Sequence, residues 1–243
     1  MPHFFIKSNQ VSENIITVDD KENYTHIAKS LRVRVGENLS FCDETELIYI
    51  TKVKEVTKNE IKAEIVEIVK SDRKLDFNLA IAQSPLRSDA QLTLVEKATE
   101  LGVSEIFPIH TKFCALAKQV ANSKVEKWQK TMYEASKQCE RANIPTCHPL
   151  TNIEELPYFK FDKVIVFAER NDEMSLKEFI AKNPIVDGES ILAIIGPEGG
   201  FSDKEFEWFK EKGLPLLSLG KLILKAETAS ITGIGNLIYG YSK

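Results

Sequence analysis

Lys225, Glu227 and Thr228 stand close together in LGKLILKAETA (Leu219 to Ala229), and a lone acid, Glu198, stands among the glycines of GPEGGFS (Gly196 to Ser202). Charged side chains clustered beside glycine-lined turns make a site geometry, whichever ligand it serves. Gly196, Gly199 and Gly200 permit close backbone approach, and Pro197 stiffens the bend. With Ile195, Leu219, Gly220, Ile223 and Leu224 they offer a small, largely apolar lining for a flat ligand. GPEGG is neither a GxGxxG fingerprint nor a P-loop, which argues against ordinary dinucleotide or nucleoside-triphosphate binding. Glycines at a strand–helix turn can serve packing alone; the second motif is what makes them a candidate site.

These residues need elements that hold them at one level. From Leu75 onward apolar runs alternate with helical patterns. LDFNLAIAQ, VSEIFPIH, KVIVFA, ILAIIG and LPLLSLG read as strands, which predicts an α/β unit with a mostly parallel sheet covered on both faces. Four helix starts carry a capping-box pattern: Ser88 with Gln91, Ser123 with Glu126, Ser175 with Glu178, and Ser202 with Glu205. Phe201 and Phe206 occupy the staple positions around Ser202. The GPEGG loop therefore leaves the end of a buried strand, where parallel sheets bind ligands. Val125, Trp128, Met132, Ala135 and Cys139 recur at helical spacing and read as one buried face.

The first 70 or so residues differ. ELIYITKVKEV and IKAEIVEIV alternate apolar and polar residues, which predicts antiparallel strands in a small β-barrel or curled sheet, with a short helical segment at Tyr24 to Leu31. SDRK (Ser71 to Lys74) reads as a linker, giving two domains, 1–72 and 73–243. Lys29, Arg32 and Arg34 form a basic cluster with no acid between them; a solvated turn and an RNA-facing patch are both open readings.

The totals exclude several classes. An apolar fraction of 43% with 28% charged residues is that of a soluble globular chain. No apolar run is long enough to span a membrane, and no secretion signal is evident, so a cytoplasmic location is expected. Net charge is −4 and the pI near 5.7, so any nucleic-acid contact must come from local patches. Cys139, Cys147 and His148 match no familiar zinc spacing; the four cysteines read as reduced, mostly buried thiols and no metal is expected.

With both C-terminal motifs in view, the chain resembles the ribosomal small-subunit RNA uridine-N3 methyltransferases, a branch of the SPOUT (trefoil-knot) class. The resemblance covers the whole chain. HIAKSLRVRVGE (His26 to Glu37) is similar to the family's PUA-like barrel stretch, and VEKATELGVSEIFP (Val95 to Pro108) to its ELGV pattern. Trp128, Glu134, Ala135, Gln138 and Arg141 fit the helix that follows. Lys225 stands where the family has arginine; lysine keeps the charge but lacks the planar two-point fork.

The resemblance implies a PUA-like β-barrel followed by a SPOUT α/β trefoil-knot domain. It implies S-adenosylmethionine held by Ile195, Gly196, Pro197, Gly199, Gly200, Leu219, Gly220, Ile223, Leu224 and Thr228. The expected reaction is methylation of uridine N3 in 16S ribosomal RNA, within the small subunit. Lys225 would stabilise the uracil anion, with Glu198 or Glu227 accepting the proton or serving structure. His26, Lys29, Arg32, Arg34 and Arg141 would contact RNA. The small residues of the final helix, together with the likeness, imply a homodimer. The alternatives are a related trefoil enzyme acting on transfer RNA, a non-catalytic RNA-binding protein, or, less well supported, an oxidoreductase.

Overall fold

The computed structural model describes residues 1–169 and 174–242. They fall into two compact units, Met1–Lys74 with Ser136–Asn143, and Leu75–Ala135 with Ile144–Lys243.

The first unit is a six-stranded sheet. In chain order its strands are β1 (His3–Phe5), β2 (Val11–Ser12), β3 (Ile15–Val18), β4 (Asn38–Cys42), β5 (Leu47–Val56) and β6 (Ile61–Lys70). They lie side by side as β1-β4-β5-β6-β3-β2, antiparallel except for β1 on β4. The alternation seen in the sequence is the cause. Tyr49, Thr51 and Val53 of β5 and Ile61, Ala63 and Ile65 of β6 point inward and are buried. Register shifts at Ile50/Thr51 and Val53/Glu55 let this long hairpin bend. The helical segment begins earlier than its sequence pattern suggests. Helix α1 (Lys21–Tyr24) is capped by Asp20, whose Oδ1 accepts from the Asn23 N–H at 2.8 Å. It then widens into a π-type turn over Thr25–Ser30, where the Leu31 N–H reaches the His26 carbonyl.

Asp43 organises the turn after β4. Burial alone would push its carboxyl up, but the hydroxyls of Thr45 and Tyr49 and the N–H groups of Thr45 and Leu47 donate to it. These bonds hold it below the usual carboxylate range. A depressed folded-state value contributes stability above the unfolded value of about 4, lost as pH falls through the folded one. Asp43→Asn is expected to cost about 2 kcal/mol at pH 7. The variant's stability should also vary less between about pH 5 and 3 in denaturant titrations; a parallel pH profile would contradict this.

The second unit holds a parallel sheet in the order β10-β8-β7-β12-β11-β13, with β9 also on β8. Its strands are β7 (Asn78–Gln83), β8 (Glu105–His110), β9 (Thr146–Cys147), β10 (Thr151–Asn152), β11 (Lys163–Phe167), β12 (Ser190–Ile195) and β13 (Leu216–Leu217). Every pair is parallel. The central strand β12 shows why its sequence is continuously apolar. Ile191, Ala193 and Ile195 face one buried cluster, while Leu192 and Ile194 face the other.

The connecting helices are α2 (Ser88–Glu100), α3 (Lys118–Asn122), α4 (Val125–Gln138), α5 (Leu176–Lys182), α6 (Asp203–Glu211) and α7 (Ala226–Tyr241). On α4, Trp128, Met132 and Ala135 are buried as the stripe predicts, but Val125 at its start and Cys139 just past its end are only half-buried. Among the described residues, two of the predicted capping boxes form. Ser175 pairs with Glu178, and the Glu205 carboxylate accepts from the Ser202 N–H at 2.7 Å. At α2 the N-cap falls on Arg87, and Gln91 Oε1 accepts from the Leu86 N–H; the Ser88 side chain lies outside the described residues. Ser123 is drawn away by the turn ending α3, where its hydroxyl donates to the Val120 carbonyl. No helix among the described residues is long and apolar enough to cross a membrane.

Candidate active site

Three neighbouring strands of the second unit end at one level. Ile195 of β12 is in register with Phe167 of β11, and Phe167 with Leu217 of β13. Beyond that row the chain forms three loops: the glycine segment, Ala168–Glu169, and residues 218–225. They line an open cavity of about 620 Å³, within the range that holds a cofactor-sized molecule.

The glycine segment is fixed at both ends. Gln83 Nε2, at the end of β7, donates to the Gly196 carbonyl at 3.0 Å. The exit is held by Phe201, whose ring packs edge-on against Phe206 and Phe209 as the staple predicts. Glu205 adds a second tie, because its other oxygen accepts from the Lys112 N–H at 2.8 Å. Gly200 has a φ of +70° and Gly220 one of +137°, conformations that side chains rarely adopt. A Cβ on Gly200 would also lie 3.0 Å from Glu169 Oε1.

Most of the expected cofactor residues line this cavity: Ile195, Gly196, Pro197, Gly200, Leu219, Gly220, Ile223 and Leu224. Two do not. Gly199 turns the other way, where a Cβ would meet Phe113 Cβ at 2.9 Å, and Thr228 sits on the exposed side of α7. All three residues expected to handle charge, Lys225, Glu198 and Glu227, are in the wall. Lys225 occupies the N-cap position of α7 and is exposed; Glu227 lies in the first turn. Among the described residues nothing bonds the side chain of either, whereas Glu198 Oε1 accepts from the Arg87 N–H at 3.3 Å. Glu169, at the end of β11, was not singled out in the sequence. No local motif marks it; it reaches the crevice because β11 lies beside β12 in the sheet.

The wall fits S-adenosylmethionine. Phe167, Ala168, Ile195 and Leu217 give a buried apolar floor for a purine, and the glycine loops present backbone groups above it. Charged side chains also stand in this wall, and the exposed Lys221 is available to a polar tail.

In the first unit His26, Lys29, Arg32 and Arg34 are exposed, and Arg32 has a φ of +54°. Arg141 departs from the expectation. It is buried, its guanidinium donates to Asn143 Oδ1 at 3.0 and 3.2 Å, and its carbonyl meets His3 Nε2 at 3.1 Å. Its charged head is therefore occupied inside the unit rather than offered to a ligand.

Comparison with known proteins agrees with this geometry. A family model described as an RNA methyltransferase domain matches residues 73–238, and an RNA methyltransferase PUA domain matches residues 18–66. The chain is 26% identical to ribosomal RNA small subunit methyltransferase E of Rickettsia conorii, covering 95% of this chain and 92% of that protein. It is likewise 26% identical to the Bacillus subtilis protein of the same name, over 98% and 96%. Among solved structures, the Neisseria gonorrhoeae ribosomal RNA small subunit methyltransferase E bound to S-adenosyl methionine has a TM-score of 0.85 at 25% identity, over 99% and 98% of the two chains. The expected α/β architecture with a PUA domain before it is borne out.

Proposed function

The chain belongs to the RNA methyltransferase family, and from that premise we propose that it transfers a methyl group from S-adenosylmethionine to N3 of a uridine in small-subunit ribosomal RNA. The observation that carries this reading is the cavity shared by three strand ends, with Lys225 and Glu227 in its wall and, among the described residues, no partner on either side chain. The names of the relatives support a ribosomal substrate.

Bound in the cavity, the cofactor supplies a methyl group already activated by its sulfonium. The protein's task is then to orient both partners and to ready the nucleophile. Backbone groups of Gly196, Gly200, Leu219 and Gly220 hold the adenine. Uridine N3 is a weak acid and is a useful nucleophile only without its proton. The Lys225 ammonium stabilises the uracil anion, helped by the partial positive charge at the start of α7. Glu227 is the better proton acceptor, because Glu198 already accepts from Arg87. N3 lies on the pairing edge, so the target base must be unpaired or turned out of its helix. His26, Lys29, Arg32 and Arg34 hold the surrounding RNA through its phosphates.

A homodimer acting in the cytoplasm completes the proposal. The outward face of α7 supports it: Gly235 has open space above it, and Tyr239 is 89% exposed. The test is nucleoside analysis by mass spectrometry after purified protein, S-adenosylmethionine and small-subunit RNA are incubated together. N3-methyluridine is expected at one position. Methyl transfer to another atom would refute the N3 assignment, and cofactor binding without any transfer would favour a non-catalytic RNA-binding protein.

A further inference from the structure

We infer that Glu169 is the residue that recognises the ribose of the methyl donor, its carboxylate accepting from the two ribose hydroxyls. The inference rests on the proposed S-adenosylmethionine site and deepens it. Glu169 follows β11, the strand between those that carry the two cofactor loops, and its side chain lines the cavity. Among the described residues no group hydrogen-bonds or ion-pairs with that carboxylate.

The neighbouring glycine is matched to it. With φ at +70°, Gly200 places the position of an absent Cβ 3.0 Å from Glu169 Oε1, so the carboxylate occupies space that any other residue at 200 would contest. The other two carboxylates of the wall are otherwise placed: Glu198 accepts from Arg87, and Glu227 stands in the first turn of α7 beside Lys225. Glu169 is thus a spare double acceptor beside the loop that holds adenine. A ribose attached to that adenine offers two adjacent hydroxyl donors, a geometric match for a two-oxygen acceptor. Bonds to an ionised acceptor are the stronger kind.

The test is equilibrium binding to wild type and Glu169→Gln of three probes: S-adenosylhomocysteine, 5′-methylthioadenosine and the 2′,3′-dideoxy analogue of S-adenosylhomocysteine. Gln keeps the size of the side chain and removes its charge. The variant is expected to bind the first two about tenfold more weakly, by the same factor, and the dideoxy analogue as well as wild type does. A loss with S-adenosylhomocysteine but not with methylthioadenosine would assign Glu169 to the amino group and overturn the inference. So would an equal loss with the dideoxy analogue, or no loss at all. If wild type binds none of the three, the methyl-donor reading itself fails and this assignment with it.

Discussion

Lys225→Ala is expected to lower kcat for methyl transfer by at least about 100-fold while the dissociation constant for S-adenosylmethionine stays within a few-fold of wild type. The size follows from the chemistry. Removing one preorganised group that faces developing charge typically costs two to three orders of magnitude, because the site cannot reorganise to replace it. The affinity should survive, since Lys225 is exposed at the N-cap of α7 and the apolar floor of the cavity lies elsewhere. Lys225→Arg should keep most activity, because arginine preserves the charge at that helix start. Were the alanine variant to lose cofactor affinity instead, Lys225 would belong to the cofactor's binding and the anion-stabilising role would be wrong.

Gly233→Val is expected to destabilise the second unit by about 3 kcal/mol, a fall in unfolding temperature of roughly 6–12 °C. A Cβ at Gly233 would lie 2.4 Å from Phe167 Cε2 and 2.7 Å from Cζ. Both residues are buried, so the ring can yield only toward the cavity it lines. Replacing a helical glycine normally gains up to about 1 kcal/mol of backbone stability, which is too little to offset the clash. Phe167 also lines the cavity, so the pressure on its ring should weaken cofactor binding as well. Pairing the change with Phe167→Ala makes space for the added methyl groups. The double variant should then be more stable than the sum of the single effects by about 1 kcal/mol or more. Strict additivity would show that the two side chains do not meet.

Much of the architecture is legible in the sequence. The period of two in β5 and β6 and the unbroken apolar run of β12 each express one burial pattern, half-buried strands in the first unit and a strand buried on both faces in the second. GPEGGFS and LGKLILKAETA pointed to one cavity because both follow strands, and parallel strands end on the same edge. What the sequence hid depends on contacts distant in the chain. Gly199 looked like its neighbours, yet it turns toward Phe113, a contact no local pattern encodes. Arg141 carries the charge of an RNA contact but is buried, its guanidinium donating to Asn143. Ser123 carries a cap signature, yet the preceding turn claims its hydroxyl. Glu169 follows a plain strand with no glycine motif to mark it, and only the order β12-β11-β13 brings it into the cavity wall.

Calorimetric titration of the wild-type protein with S-adenosylmethionine tests the proposed pocket most directly. One molecule should bind per chain and be displaced by S-adenosylhomocysteine in direct competition. Folded protein that takes up no S-adenosylmethionine, or binding that S-adenosylhomocysteine leaves undisturbed, would contradict it.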